Sequence, residues 1–240
     1  MAFIDLKLSS KELGMKTSVY VLIPEYREEG KKIKTLYLLH GLSDDNTTWL
    51  RRTSIERYAE KYGICVVMPF AERSFYTDMK YGMKFYTYIA KELPHIIQTM
   101  FDLSSDREDN FVAGLSMGGY GALKIALREC GSYAAAAGLS SCCVITARKN
   151  KSYFPAVFGE GDVDPDEDIF ELAKKDAGDP KRPRIFLGVG TEDFLYDENQ
   201  NFKAHLSSLG YDLTYRESPG THNWEFWDEY IKYVLEWMFG

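Results

Sequence analysis

Residues 110–122 read NFVAGLSMGGYGA, and the fold follows from this stretch. Residues 111–113 are a short apolar run typical of a buried strand, and residues 117–129 carry apolar side chains at helical spacing. Between them lies Ser116, with one glycine two positions before it and another two positions after it. A sharp strand-to-helix turn requires such glycines, because a Cβ would fill the space between strand and helix. The stretch predicts a turn that lifts the Ser116 hydroxyl above a sheet.

The Gly-x-Ser-x-Gly frame also has a second interpretation. A glycine-rich turn between a strand and a helix can use its serine only as a helix cap. The residues that follow the other strands of the chain therefore decide between a catalytic serine and a capping one.

The rest of the chain alternates between apolar runs of strand length and segments with helical periodicity. Strands are predicted at residues 2–8, 18–24, 35–40, 64–68, 110–114, 133–139, 184–190 and 211–216. Helices are predicted at residues 49–62, 85–101 with a kink at Pro94, 117–129, 197–209 and 224–239. The first two strands are expected to form a hairpin. The alternation after them predicts an α/β fold, with a mostly parallel, twisted sheet that has helices on both faces, in a single domain over residues 1–240.

Two segments interrupt this alternation. Residues 70–82 form a long loop rich in aromatic side chains, and loops of that length in compact domains are more often functional than structural. Residues 141–183, after the sixth strand, are rich in Asp, Pro and Gly and lack clear periodicity. We expect this insertion to lie over the sheet as a lid.

Composition excludes several classes of function. The chain has 29 Lys and Arg against 36 Asp and Glu, a formal net charge of -7, and its basic residues are scattered. A nucleic-acid partner is therefore not expected, because phosphate binding needs a clustered basic face. The start MAFIDLKLSS resembles no signal peptide, and no stretch approaches the about 18 apolar residues of a membrane span. We expect a cytoplasmic protein without membrane contact, whose four cysteines are free thiols.

Ser116, Asp193 and His222 each follow the end of a predicted strand, in that order along the chain. In a parallel sheet these ends meet at one edge, where ligands bind. The order Ser, Asp, His is the one that the α/β-hydrolase layout requires. A serine hydroxyl becomes a strong nucleophile when an imidazole takes its proton, and a carboxylate must hold that imidazole in one tautomer.

The base and the acid differ in how well the sequence selects them. Among the four histidines, two lie inside predicted helices and His40 precedes the serine, which leaves His222 in its turn-forming loop as the base. The acid has three candidates in one loop, Glu192, Asp193 and Asp197. Asp193 directly follows the strand, whereas Asp197 fits the cap of the next helix.

The negative oxygen that forms when a serine attacks an ester carbonyl needs two backbone N–H donors. One belongs to the residue after the nucleophile, Met117, and the other to the loop after the third predicted strand. We assign the second donor to Leu42, with Gly41 as the competing candidate.

No cofactor and no metal are expected. The acidic run GDVDPDEDIFE at residues 161–171 imitates a calcium loop, but Glu167 stands where that loop needs glycine and Ala173 where it needs glutamate. No cluster of His and Cys has the spacing of a zinc site.

Four motifs in order, LLHGLSDDNTTW, AGLSMGGYGAL, GTEDFLYDEN and GTHNWEFW, resemble the esterase D branch of the α/β-hydrolases. Within it the chain is similar to the tributyrin esterase and acetyl esterase group over nearly its whole length. The resemblance implies a serine carboxylesterase for short acyl esters, acetyl to butyryl and including acetylated carbohydrates. Ser116 would be the nucleophile, His222 the base and Asp193 the acid, with Leu42 and Met117 as oxyanion donors.

The same branch includes feruloyl esterases and S-formylglutathione hydrolases, and both stay open. The chain resembles the S-formylglutathione hydrolases less well, because its insertion is short and acidic and only GLSS follows the sixth strand. Gly41, Tyr76, Tyr81 and Trp224 are the candidate substrate contacts, although Tyr76 and Tyr81 also fit ordinary packing and Trp224 also fits a core anchor. An acyltransferase and an inactive binding scaffold are further alternatives, and the resemblance makes a homo-oligomer plausible.

Overall fold

The computed structural model describes residues 1–27 and 29–240. Within them, eight strands form one sheet in the order β1-β2-β4-β3-β5-β6-β7-β8. The strands are β1 (Ala2–Ser10), β2 (Met15–Ile23), β3 (Thr35–Leu39), β4 (Cys65–Pro69), β5 (Asn110–Leu115), β6 (Ala135–Leu139), β7 (Arg184–Gly190) and β8 (Leu213–Ser218).

The first two strands form the predicted antiparallel hairpin, with Ala2 paired to Ile23. Strand β2 also pairs antiparallel with β4, and every pair from β4 to β8 across the sheet is parallel. Strands β3 to β6 are buried along their whole length, which is the pattern of strands covered on both faces. The predicted mostly parallel sheet is confirmed.

Helices cover both faces of this sheet. They are α1 (Thr48–Arg52), α2 (Ile55–Glu60), α3 (Phe85–Thr87), α4 (Leu93–Phe101), α5 (Met117–Arg128), α6 (Phe154–Phe158), α7 (Ile169–Lys175), α8 (Tyr196–Ser208) and α9 (Trp224–Phe239). Along β3, Tyr37 and Leu39 pack into one hydrophobic cluster with α4, α5, α7 and α8, while Leu36 and Leu38 pack into a second cluster with α2 and α9. Successive strand residues point to opposite faces, so one apolar strand contributes to both cores. None of the helices in the described ranges is long and apolar enough to cross a bilayer.

Two predicted helices differ in the structure. The helix expected over residues 49–62 is divided into α1 and α2, because Thr53 is extended and its hydroxyl donates to the Trp49 carbonyl and accepts from the Ile55 N–H. The helix expected over residues 85–101 contains a π-helical turn, Tyr88–Glu92, immediately before α4. Pro94 follows that turn within one continuous helical run, and it has no N–H to donate to the preceding turn.

Residues 141–183 contain more helix than their sequence indicated. They include α6, α7 and two short 3₁₀ turns, Ile145–Arg148 and Pro165–Glu167. The N–H groups of Lys80 and Tyr81 donate to carbonyls of α6, which joins the aromatic loop to this insertion. Helix α7 begins at an Asp168 cap, whose carboxylate accepts from the Phe170 N–H at 2.8 Å.

Candidate active site

Ser116 lies on the tight turn between β5 and α5, with φ 53° and ψ -114°. Such a conformation is costly for a residue with a side chain and is characteristic of functional sites. The two flanking glycines allow the turn: a Cβ on Gly114 would lie 2.3 Å from the Gly118 carbonyl oxygen, and one on Gly118 would lie 2.4 Å from the Leu39 carbonyl oxygen. Because α5 therefore begins in contact with the end of β3, the loop after β3 lies beside the serine.

Ser116, His222 and Asp193 are joined by one chain of hydrogen bonds. His222 Nε2 lies 3.0 Å from Ser116 Oγ, and His222 Nδ1 lies 2.9 Å and 3.1 Å from the two carboxylate oxygens of Asp193. A carboxylate can only accept, so Nδ1 carries the proton and Nε2 is left free to accept from the serine hydroxyl. The Asp193 side chain is fully buried, whereas the imidazole is 18% exposed and accessible to a ligand.

The surroundings of Asp193 keep it ionised. Burial raises the pKa of its carboxyl, but hydrogen bonds from His222 and from the Leu195 N–H outweigh burial and hold the pKa below its usual range. The two other candidate acids lie elsewhere: Glu192 is exposed and accepts from the Gly220 N–H, and Asp197 lies in the first turn of α8. Asp193 is the candidate acid that contacts His222.

Three side chains that the sequence analysis did not select support the histidine and the carboxylate. The rings of Phe194 and Trp227 lie 4.5 Å and 4.8 Å from the His222 ring. Trp227 Nε1 donates to Ser140 Oγ, and the Ser140 hydroxyl contributes to lowering the pKa of the Asp193 carboxyl. The only sequence signal for Ser140 was its position directly after β6.

The second predicted oxyanion segment, residues 40–42, is fixed from several sides. Tyr76 donates its hydroxyl to the His40 carbonyl at 2.9 Å, and the His40 ring bonds the Gly41 carbonyl and the Ala71 N–H. Leu42 and Met117 line the same cavity as Ser116. The two residues predicted to supply these donors therefore line the cavity that contains the nucleophile.

Two cavities meet at Ser116. The first, of about 400 Å³, has a largely apolar wall that includes Phe75, Cys142 and Tyr153, and its lining also includes the Arg148–Glu198 ion pair. The second, of about 480 Å³, lies on the side of His222. Its lining includes the charged groups Asp44, Arg52 and Glu225 beside the ring of Trp224.

The four candidate substrate contacts separate into two groups. Gly41 and Trp224 line the second cavity, and Trp224 also packs against two other indoles, Trp49 and Trp227. Tyr76 is completely buried, and Tyr81 is 68% exposed, and neither ring lines either cavity. The expectation that Tyr76 and Tyr81 contact the substrate does not fit these positions, because Tyr76 is used to hold the His40 carbonyl. Phe75, which was not selected, occupies the cavity wall instead.

Among the described residues, no group of three or more His, Cys, Asp or Glu side chains is arranged to hold a metal ion. In the acidic run, Asp164 and Asp168 accept from backbone N–H groups of their own turns, and Glu167 points inward. The four cysteines, Cys65, Cys130, Cys142 and Cys143, are free thiols.

A mostly parallel sheet with a serine on the turn after β5, a carboxylate after β7 and a histidine after β8 defines an α/β-hydrolase. Residues 10–237 match the Esterase family. The chain belongs to this family and is a carboxylic ester hydrolase, as the sequence motifs predicted.

Known relatives agree with this family. The chain is 31% identical to an acetyl esterase of Caldicellulosiruptor saccharolyticus over 99% of its own length and 98% of that protein. A substrate-bound structure of FphF, a fluorophosphonate-binding serine hydrolase of Staphylococcus aureus, is 36% identical, with a TM-score of 0.94 over 100% of this chain and 98% of that one. An S-formylglutathione hydrolase of Staphylococcus aureus, FrmB, is also 36% identical, with a TM-score of 0.91 over 100% and 99%. Overall sequence identity to these relatives therefore does not decide between an acetyl ester and S-formylglutathione as the substrate.

Proposed function

We propose that this protein is a serine esterase that hydrolyses short-chain acyl esters through an acyl-Ser116 intermediate. The observation that carries the proposal is the hydrogen-bond chain from Ser116 Oγ through His222 to Asp193, at 3.0 Å and 2.9 Å. Such a chain makes a hydroxyl nucleophilic, and it also argues against an inactive binding scaffold.

In the first half of the reaction, Ser116 Oγ attacks the ester carbonyl carbon while its proton passes to His222 Nε2. The carbonyl oxygen becomes negative and accepts from the N–H groups of Met117 and Leu42, the proposed oxyanion donors. The tetrahedral intermediate then breaks its bond to the alcohol oxygen, which takes the proton from His222 and leaves as the free alcohol. Asp193 stabilises the imidazolium throughout.

In the second half, water replaces the alcohol. His222 Nε2 takes a proton from the water as its oxygen attacks the acyl carbon, and the proton returns to Ser116 Oγ when the ester bond to the serine breaks. An added alcohol that took the place of water would make the enzyme an acyltransferase by the same steps.

The position of His222 supports a proposed role for each of the two cavities. The leaving oxygen must receive its proton from His222 Nε2, so the alcohol lies on the side of the second cavity, which His222 lines. The acyl group then extends into the first cavity, whose wall is largely apolar.

The lining of the second cavity favours a neutral alcohol rich in hydroxyl groups. Asp44 and Glu225 can accept from hydroxyls, Arg52 can donate to them, and the indole of Trp224 offers an apolar face. Two carboxylates against one guanidinium disfavour an anionic leaving group such as glutathione. Acetylated carbohydrates are therefore the proposed substrates, in keeping with the acetyl esterase relative.

A feruloyl ester is the second candidate because of one feature of the first cavity. The rings of Phe75 and Tyr153 are stacked there with their centroids 5.3 Å apart, and both line the cavity. A phenolic acyl group could extend this stack.

The test is hydrolysis of p-nitrophenyl esters from acetate to octanoate, beside an acetylated xylan oligomer, methyl ferulate and S-formylglutathione. Activity that falls steeply beyond butyrate, together with deacetylation of the oligomer, is expected. Activity concentrated on methyl ferulate or S-formylglutathione would replace the proposed substrate class. Retained turnover in Ser116→Ala, or no labelling of Ser116 by a fluorophosphonate, would contradict the mechanism itself.

A further inference from the structure

A lysine is completely buried on the helix that follows the nucleophile. Lys124, on α5, is 0% exposed. Its ammonium lies 2.5 Å from Glu167 Oε2, 2.7 Å from Thr77 Oγ1 and 3.2 Å from the Phe75 carbonyl oxygen. Because an ammonium has three N–H donors, this set satisfies it completely.

The carboxylate that pairs with this lysine comes from the insertion. Glu167 Oε1 also accepts from Arg128 at 3.2 Å, and Glu167 Oε2 also accepts from Thr77 Oγ1 at 2.9 Å. The Tyr120 hydroxyl bonds the Glu167 carbonyl oxygen at 2.6 Å. The cluster thereby joins three separate segments: helix α5, the aromatic loop and the insertion.

One of the groups bonded by Lys124 belongs to the wall of the first cavity. Because this cavity is the proposed acyl site, we call it the acyl cavity. Phe75 lines that cavity and has a left-handed backbone, with φ 52°. A non-glycine residue keeps such a conformation only when its surroundings fix it. The hydrogen bond from Lys124 to the Phe75 carbonyl and the bonds to Thr77, two residues later, provide that constraint.

We propose that the Lys124–Glu167 ion pair is a specificity-determining positioning element: it fixes Phe75 in the wall of the acyl cavity and so sets which acyl groups the enzyme accepts. This rests on the proposed function of the first cavity as the acyl site. Lys124 and Glu167 act through Phe75 and do not touch the reacting atoms.

Stability alone is a poor explanation for this cluster. A buried ion pair loses the hydration of both charges, and well-packed apolar side chains of similar volume often stabilise a fold as well or better. The ion pair fixes the relative positions of three chain segments. Apolar contacts would fix these positions less specifically.

The experiment measures kcat/KM for p-nitrophenyl octanoate divided by kcat/KM for the acetate. Glu167→Gln keeps the shape of the side chain and removes its charge, and the double variant Lys124→Met with Glu167→Gln also removes the unpaired ammonium. Phe75→Ala opens the wall directly and serves as the reference. The matched control is Glu171→Gln, in the same segment, because Glu171 pairs with Lys174 on the surface.

Phe75→Ala is expected to raise the octanoate-to-acetate ratio by about tenfold or more, since differences in a hydrophobic pocket change kcat/KM by such factors. Glu167→Gln and the double variant are expected to raise it by about fivefold, in the same direction, while kcat for acetate stays within about threefold of the parent. Glu171→Gln should leave the ratio unchanged.

Suppose that Phe75→Ala raises the ratio but folded Glu167→Gln or the double variant does not. The positioning role of the ion pair would then be overturned, while the assignment of the first cavity as the acyl site would stand. An unchanged ratio in Phe75→Ala would instead show that the first cavity does not bind the acyl group. If neither Glu167 variant folds, Thr77→Val decides, because it removes the hydroxyl shared by the ion pair and leaves both charges in place. Thr77→Val must then raise the ratio, and a parental ratio would refute the proposal.

Discussion

The indole Nε1 of Trp227 lies 3.1 Å from Ser140 Oγ and donates a hydrogen bond to it. The Ser140 hydroxyl therefore has an acceptor lone pair occupied and its own proton free to donate. That proton can be donated to the Asp193 carboxylate, whose pKa the Ser140 hydroxyl helps to lower. Trp227 thus holds the Ser140 hydroxyl from α9, while its indole lies perpendicular to the His222 ring, with the ring centroids 4.8 Å apart.

We predict that Ser140→Ala lowers kcat for p-nitrophenyl acetate by about tenfold, because a hydrogen bond to a charged group is worth about 1.5 kcal/mol or more. Loss of that donor raises the pKa of the Asp193 carboxyl and weakens its hold on the imidazole. The control is Ser141→Ala, since Ser141 is the buried neighbour whose hydroxyl finds no partner among the described residues. Equal activities of the two variants would show that Ser140 does not support Asp193.

The choice of Asp193 over Glu192 gives a second prediction. Asp193→Asn should lower kcat by about 10³- to 10⁴-fold, because the amide favours the wrong tautomer of His222. His222→Ala should cost more, because it removes the base itself. Glu192→Gln should change kcat by less than about twofold, since its carboxylate bonds the loop backbone and is exposed. A larger loss for Glu192→Gln than for Asp193→Asn would reverse the assignment.

Ser116, Asp193 and His222 could be found in the sequence because each directly follows a strand, and parallel strands bring such positions to one edge. Continuous apolar runs identified β3 to β7 in the same way. The division of the helix at Thr53 was missed because it depends on a side-chain hydroxyl that caps two backbone groups, and threonine is common inside helices as well.

The rest of the site could not be predicted because it depends on pairs far apart in the chain. Lys124 and Glu167 are separated by 43 residues, and no local pattern indicates that a loop glutamate turns inward to meet a helical lysine. Tyr76 was selected as a substrate contact for its position in an aromatic loop. Its burial follows from a hydrogen bond to the His40 carbonyl, a tertiary contact that only the fold creates.

The second cavity leads to a prediction about the alcohol. Asp44 lines it, and burial raises the pKa of the Asp44 carboxyl. We expect Asp44→Asn to lower kcat/KM for an acetylated xylan oligomer by about tenfold, because a carboxylate accepts more strongly from hydroxyls than an amide does. The value for p-nitrophenyl acetate should stay within about twofold, because that leaving group has no hydroxyl to bind. An equal loss on both substrates would assign Asp44 to the support of residues 40–42 instead.

His40 gives a prediction about stability rather than catalysis. Its Nε2 accepts from the Ala71 N–H at 3.0 Å, so the ring is neutral with its proton on Nδ1, which lies 2.7 Å from the Gly41 carbonyl. Protonation of Nε2 would place two donors face to face in a buried site. Burial accordingly lowers the pKa of His40 from 6.5 to about 4.

Because the unfolded chain binds this proton at a higher pH than the folded one does, stability must fall as the pH is lowered from about 6.5 to about 4, by about 3 kcal/mol for this group. Above this window His40 is neutral in both states and contributes no pH dependence. Asp193 acts separately: its pKa is held below the ordinary carboxyl range, so the stability it contributes is lost only at still lower pH.

Urea unfolding between about pH 7.5 and pH 4.5 measures how steeply stability depends on pH. His40→Gln keeps an acceptor for Ala71 but cannot titrate, so it should flatten the slope, whereas the exposed His95→Gln should not. A parental slope in His40→Gln would mean that another group causes the loss of stability in acid.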